Sequence, residues 1–276
     1  MTIPSVGLPL NVTASYDSER ITNGMDTSSS PAAFANGWRL STGVTFTQNP
    51  TSGLFPCEIS VTQDNGSIVN FEPSTVGPYS TCPTANYEAP PWAQATLSVA
   101  TNCSGTDSCW VVTNETSGVA TYIDRTASTH QLVKEVDRNG NTVSFTYTSG
   151  ALSSESESGR SLTFSYPSPG TATCSTSFNS QSVARCMVVT DPIGRTATFF
   201  LAGTSGTGYN LIGETLAPTS GSGAASYAFS YSGNYLTSWW TPQNFATYGN
   251  STTEATDITY SSMLDWVTQV LSLIHI

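Results

Sequence analysis

Lysine is nearly absent: one, Lys134, among eight basic residues in a chain of 276. Charged residues make up 10%, against roughly 25% in ordinary soluble domains. The few cations are scattered from Arg20 to Arg195 and the net charge is −11. Phosphate neutralisation needs clustered cations, so the sequence argues against nucleic acid as a partner. No run of about 18 apolar residues is present to form a membrane helix. Met1-Thr2-Ile3-Pro4 lacks the basic start and apolar core of a signal peptide, so export would require a signal upstream of Met1. There is no G-x-S-x-G turn, and His130 is the one histidine outside the last six residues. A hydroxyl–histidine pair therefore has little to build on, and a surface or hydrogen-bonded His130 is expected.

In place of charge the chain has Ser, Thr, Asn and Gly, with 38% hydrophobic and 11% aromatic residues. That mixture suits exposed strands and turns better than helices, and the regularly placed aromatics argue for a folded core. Six cysteines, Cys57, Cys82, Cys103, Cys109, Cys174 and Cys186, suggest an oxidising compartment. Pairing between sequence neighbours would staple three local loops. Six cysteines allow fifteen pairings, and the sequence does not choose among them. Free buried thiols are the plain alternative, and a zinc site has no CxxC and no nearby histidine to build on.

Glycines followed five residues later by phenylalanine recur: Gly66 and Phe71, Gly140 and Phe145, Gly159 and Phe164, Gly194 and Phe199. Gly118 leads to Tyr122 and Ile123, out of phase by one. Alternate positions repeat an apolar face: Val143, Phe145, Tyr147; Leu162, Phe164, Tyr166; Ala197, Phe199, Leu201. Period two marks half-buried strands. Asn65-Gly66 and Asn139-Gly140 predict type I′ hairpin corners with both central residues at positive φ. Asp191-Pro192-Ile193-Gly194 predicts a turn with proline presetting φ. The reading is an all-β fold of repeated antiparallel hairpins that bury a shared core.

The corner and strand Asp137-Arg-Asn-Gly140-Asn…Phe145-Thr-Tyr147…Gly150-Ala-Leu152 resemble the Rhs/YD-repeat family, in which D-x-x-G-x leads to an aromatic strand and a Y-D-x-x-G-x-L turn. Tyr147 and Tyr231 are followed by Thr and Ser, so the Tyr-Asp pair itself is missing. The opening Gly7-Leu-Pro-Leu10…Tyr16-Asp-Ser18 and Gly37-Trp38-Arg-Leu40 are similar to that family's opening strand and its G-W-x-L signature. The resemblance spans residues 7–270. It implies a spiral of hairpins forming part of a shell, incomplete at its C-terminus, with 1–130 as its N-terminal opening segment and 131–270 as YD-like repeats. It implies a secreted or cell-surface structural wall with no cofactor, no metal and no catalytic residue of its own. The partner would be a C-terminal, toxin-like domain of the same full-length chain. The last six residues, LSLIHI (271–276), are what the sequencing-adapter mosaic end encodes in frame, so they are expected to be a tail foreign to the fold, with the natural chain continuing past Val270.

Two other function classes compete. A glycan-binding adhesin of the same architecture would use tryptophan platforms, with Trp239, Trp240 and Trp266 as candidates; adjacent strand tryptophans point to opposite faces. A β-rich glycoside hydrolase would need paired carboxylates, for which Asp64, Glu115, Asp124 and Glu135 are available. Asp137–Asn141 does not fit a calcium loop, because its glycine is fourth and the twelfth residue is Thr148. Asp191-Pro-Ile-Gly194 resembles the D-P-x-G at which some Rhs proteins cleave themselves, but further repeats follow it here and an ordinary corner is expected.

Overall fold

The computed structural model describes residues 1–3, 7–18, 34–62, 67–75, 79–103, 106–125, 130–204, 208–218, 223–251, 254–260 and 267–272. Among these the fold is almost entirely antiparallel β, built from hairpins between sequence neighbours, with one short helix, α1 (Pro242–Tyr248). No helix among the described residues is long and apolar enough to cross a membrane.

The chain forms two compact units, each assembled from two segments. The first comprises Met1–Thr13 and Leu40–Ser161, the second Ala14–Arg39 and Leu162–Ile276. The division expected at 130/131 falls inside the first unit, because Ala120–Asp124 and Leu132–Val136 are paired strands of one hairpin. In the first unit each strand from Thr45–Gln48 to Ala151–Glu157 pairs with the next in sequence. The second unit repeats that meander from Arg185–Thr190 to Val267–Ser272. Leu271 and Ser272, the first residues of the suspected tail, lie in that last strand, and 273–276 lie outside the described residues.

The repeated aromatics are core. Phe71, Phe145, Phe164 and Phe199 are all buried, with Val143, Leu162, Ala197 and Leu201 beside them on the same faces. Gly66, and with it the Asn65-Gly66 corner, lies outside the described residues. Two repeat positions are less buried than expected. Tyr147 keeps the side of Val143 and Phe145 but is only half-buried, one residue before its strand ends at Thr148. Tyr166 is 50% exposed, since its strand ends at Ser165. After Gly118 the buried residue is Ile123, five positions on, so this unit keeps the common spacing with isoleucine where the others have phenylalanine.

The strand Thr196–Thr204 exceeds its expected half-burial: Ala197 through Leu201 are buried on both faces. The second face is covered by the insertion between Ser165 and Arg185. There Phe178 stacks on Phe200 at 4.6 Å and on Phe245 of α1 at 5.6 Å. Its ring lies where a Cβ at Gly213 would be, so only glycine fits that position. Cys174, Val183, Cys186 and Ile212 complete this small second core.

All six cysteines are paired between neighbours: Cys57–Cys82, Cys103–Cys109 and Cys174–Cys186, with Cα separations of 5.2, 6.3 and 5.8 Å. Free cysteines and clusters of metal-ligating side chains are both absent among the described residues. Three disulfides fit an oxidising environment. The intact mass of the unreduced protein is therefore expected to fall six hydrogens below the reduced mass; free thiols in protein folded under oxidising conditions would contradict the pairing.

Candidate functional site

The D-x-x-G-x corners share one construction. At Asp137 the main chain closes a four-residue turn, Gly140 N–H donating to Asp137 O at 3.0 Å, with Asp137 N–H donating to Asn141 O at 3.0 Å. Asp191 repeats both bonds, from Gly194 N–H and to Arg195 O, at 3.0 Å each. Each aspartate then fills the turn. Asp137 Oδ1 accepts from the backbone N–H groups of Asn139 and Asn141, and Asp191 Oδ1 from those of Ile193 and Arg195. The fifth residue closes back on Oδ2: Asn141 Nδ2 at 2.7 Å, Arg195 Nε at 2.6 Å. The Asn141 side-chain hydrogen bond leads in holding the Asp137 carboxyl below the usual range. Burial pulls Asp191 upward, but bonds from Arg195 and Ile193 outweigh it and leave that carboxyl low as well.

This geometry corrects the type I′ expectation at Asn139-Gly140. Gly140 has φ of +85°, but Asn139 is not in the left-handed region. The loop has three residues, a type I turn closed by a left-handed glycine. The two-residue loops with both φ positive occur instead at Ser149-Gly150, Ser158-Gly159 and Asn179-Ser180. An Asp at the first position decides the difference, because its carboxylate draws two following amides into a type I turn.

The Tyr…Gly…Leu exits also match. Tyr147 pairs across its hairpin with Leu152 and Tyr231 with Leu236, each pair directly after a bulge. In the second unit Trp38 anchors this exit: its Nε1–H donates to Tyr231 Oη at 2.7 Å, and Tyr231 donates to Leu211 O at 2.6 Å. Leu236 N–H donates to Tyr16 Oη, while Tyr260 donates to Leu236 O. Burial raises the Tyr16, Tyr231 and Tyr260 hydroxyls above their ordinary range, so this cluster stays neutral.

The proposed sugar platforms separate. Trp240 is buried against Ala228 and Ala255, flanked by Phe178 and Phe245, and its Nε1–H donates to Ser251 O at 2.9 Å. It is core and offers no face to a ligand, because α1 and the loop after it close over the strand. Trp239 is half-buried and Trp266 lies outside the described residues. Among the described residues the exposed tryptophan is Trp92, which follows Pro90-Pro91 and is 68% exposed. His130 has Nδ1 3.1 Å from Asp124 O and its ring 4.9 Å from that of Phe46, which is a packing role.

Of the candidate carboxylates, Asp64 lies outside the described residues, Glu115 is exposed and Asp124 is buried. Glu135 is half-buried and accepts a long hydrogen bond from Thr121 Oγ1 at 3.4 Å. Its neighbour on the same sheet face is a group that sequence reasoning missed. Glu135 lies opposite Val143, and Phe145 lies opposite Glu155, so all four side chains share one face. Glu155 and Glu157 are buried at 3% and 4% exposure. Glu157 is held by Arg160 Nη2 at 2.6 Å and by Ser158. Glu155 Oε1 accepts from Asn11 N–H at 3.0 Å, whereas Oε2 has no hydrogen-bond partner. Burial drives the Glu155 carboxyl up to about 7; the Asn11 amide and the Met1 amine oppose that, and the Glu135 charge adds to it. Alternation in Ser153-Ser-Glu-Ser-Glu157 puts both glutamates on one side of the strand, and the pairing of Glu155 with Phe145 in the fold shows that side to be the inward one.

No protein-family model matches the sequence, and no curated protein matches it.

Proposed function

We propose that this chain is the structural wall of a secreted or cell-surface hairpin-repeat protein of the Rhs/YD type, enclosing or presenting a C-terminal, toxin-like domain of the same full-length polypeptide. One observation carries the reading: the Asp-capped D-x-x-G-x corner recurs with the same hydrogen bonds at Asp137 and Asp191. A corner that fixes turn type through its own side chain repeats one hairpin geometry whatever the neighbouring sequence, as a wall of stacked hairpins needs. Three disulfides suit a wall exposed to an oxidising exterior. The coding sequence downstream of Val270 tests the proposal. Further D-x-x-G corners followed by a domain of different composition are expected, and in the full-length protein that domain should resist protease until the repeats are cleaved. A stop codon directly after the repeats, or a C-terminal domain digested as fast as the free domain, would overturn it.

A glycoside hydrolase is the second reading, favoured by the raised Glu155 carboxyl beside Glu135. Turnover of a polysaccharide panel, lost in Glu155→Gln, would replace the wall with the enzyme. The adhesin reading has exposed Trp92 in its favour, and a glycan array with Trp92→Ala as control separates it.

A further inference from the structure

Met1–Ile3 and Gly7–Val12 lie against the carboxylate-bearing face of the first unit as a strap. Thr2 and Ile3 pair antiparallel with Asn11 and Leu10, and the Met1 amine donates to Val12 O at 2.7 Å. Leu10 and Val12 are fully buried. Gly7 lies so close to the Asn141 side chain that a Cβ has no room. Ser41 Oγ donates to Asn11 O and accepts from Thr13 N–H, tying down the far end. At the centre, Asn11 N–H donates to Glu155 Oε1.

We propose that the strap formed by Met1–Ile3 and Gly7–Val12 is a pH-responsive cover over Glu155, docked while that carboxyl is protonated and loosened when it ionises. The inference does not depend on the wall reading. Its basis is the burial of a carboxyl that has one backbone donor on Oε1 and no partner on Oε2. A buried carboxylate needs several donors or a cation to replace water, and one amide is too few. The charged groups facing it do not supply the deficit. Glu135, on the neighbouring strand Leu132–Val136, repels a second negative charge. Glu157, on the same strand, has Arg160 as its own partner. The Met1 amine on the strap attracts the carboxylate, but less than burial opposes it. Asp137, whose corner holds Asn141 under the strap, stays ionised across the same range. Undocking returns water to Glu155 and relieves the penalty; protonation relieves it with the strap in place.

The sign follows from linkage. The docked carboxyl binds its proton more tightly than the undocked one, so docking is strongest below the ordinary glutamate range. It weakens as pH rises from there to about 7, and is flat above. A difference of roughly two pKa units makes the change in the opening equilibrium on the order of a hundred-fold. Hydrogen exchange by mass spectrometry on the whole chain, corrected for intrinsic rates, reads this directly. Between pH 4.5 and 7.5, protection of the 1–13 peptide should fall by that factor relative to the strand Thr142–Thr148. Glu155→Gln should flatten the response, and Glu135→Gln should make it shallower. Equal strap protection across the range, or an unchanged response in Glu155→Gln, would overturn the proposal. So would parallel loss from the strap and from Thr142–Thr148, since Glu155 would then govern the whole unit. If Glu155→Gln does not fold, an unchanged slope in Glu135→Gln is sufficient to reject the idea.

Discussion

Phe199→Ala should lower stability by about 3–5 kcal/mol, the usual cost of emptying a large aromatic site in a packed core. Phe199 is 2% exposed, lies between Ala197 and Leu201 on its face, and meets Phe34 edge-to-face at 5.2 Å. The cavity has little means of collapse. The strand is buried on both sides, with Phe200 under the stacked ring of Phe178 on the other face. A shift that filled the space left by Phe199 would therefore break the second core. Urea unfolding followed by tryptophan fluorescence measures the change. Tyr166→Ala is the control: it removes an aromatic from an equivalent repeat position that is half exposed and beyond its strand's end, and should cost under about 1 kcal/mol. Equal losses in the two variants would mean that the strand-end assignment at Ser165 is wrong.

Asp191→Ala should cost about 2–4 kcal/mol, because it removes the acceptor for two backbone amides and the Arg195 guanidinium in one step. The side chain is 1% exposed, so water does not replace it without opening the turn. Asp191→Asn keeps one oxygen and should recover about half of that loss. Asp137→Ala should cost less, because the Asp137 corner is more exposed and its fifth residue is a neutral asparagine. The pH dependence follows from the lowered Asp191 carboxyl. Its contribution is present above the ordinary aspartate range and is lost as pH falls through the depressed value in the folded protein. The gap between native protein and Asp191→Ala should therefore narrow toward strongly acidic pH. A gap that is constant with pH would mean that the turn is held by its main-chain bonds alone.

Glu155 acts in the opposite direction. Its raised carboxyl favours the docked strap in mild acid, and that contribution is lost between the ordinary glutamate range and about pH 7. The chain thus has carboxylates with contrary pH responses. Those at corners have donors from the turn they close, whereas Glu155 sits on a sheet face, where the amides are committed to the strand ladder and few donors remain.

The strands and the core aromatics were legible in the sequence, because each depends on residues close along the chain. Period two set Phe145, Phe164 and Phe199 inward, whereas the choice of Cys57–Cys82, Cys103–Cys109 and Cys174–Cys186 among fifteen pairings came from the fold. Helix α1 was legible too, though unread: Thr241 caps it, Pro242 opens it, and Gly249 ends it at φ of +64°. Tertiary structure alone decided the rest. Tyr147 is left half-buried near its strand end, since how far a face is covered depends on what packs over it. The insertion carrying Phe178 made Trp240 core and left it no face for a sugar, because what covers a strand comes from distant sequence. Glu155 owes its raised carboxyl to burial, and the one amide that reaches it comes from Asn11, 144 positions away. Burial is set by what the fold brings overhead, and no spacing within Ser153–Glu157 encodes it.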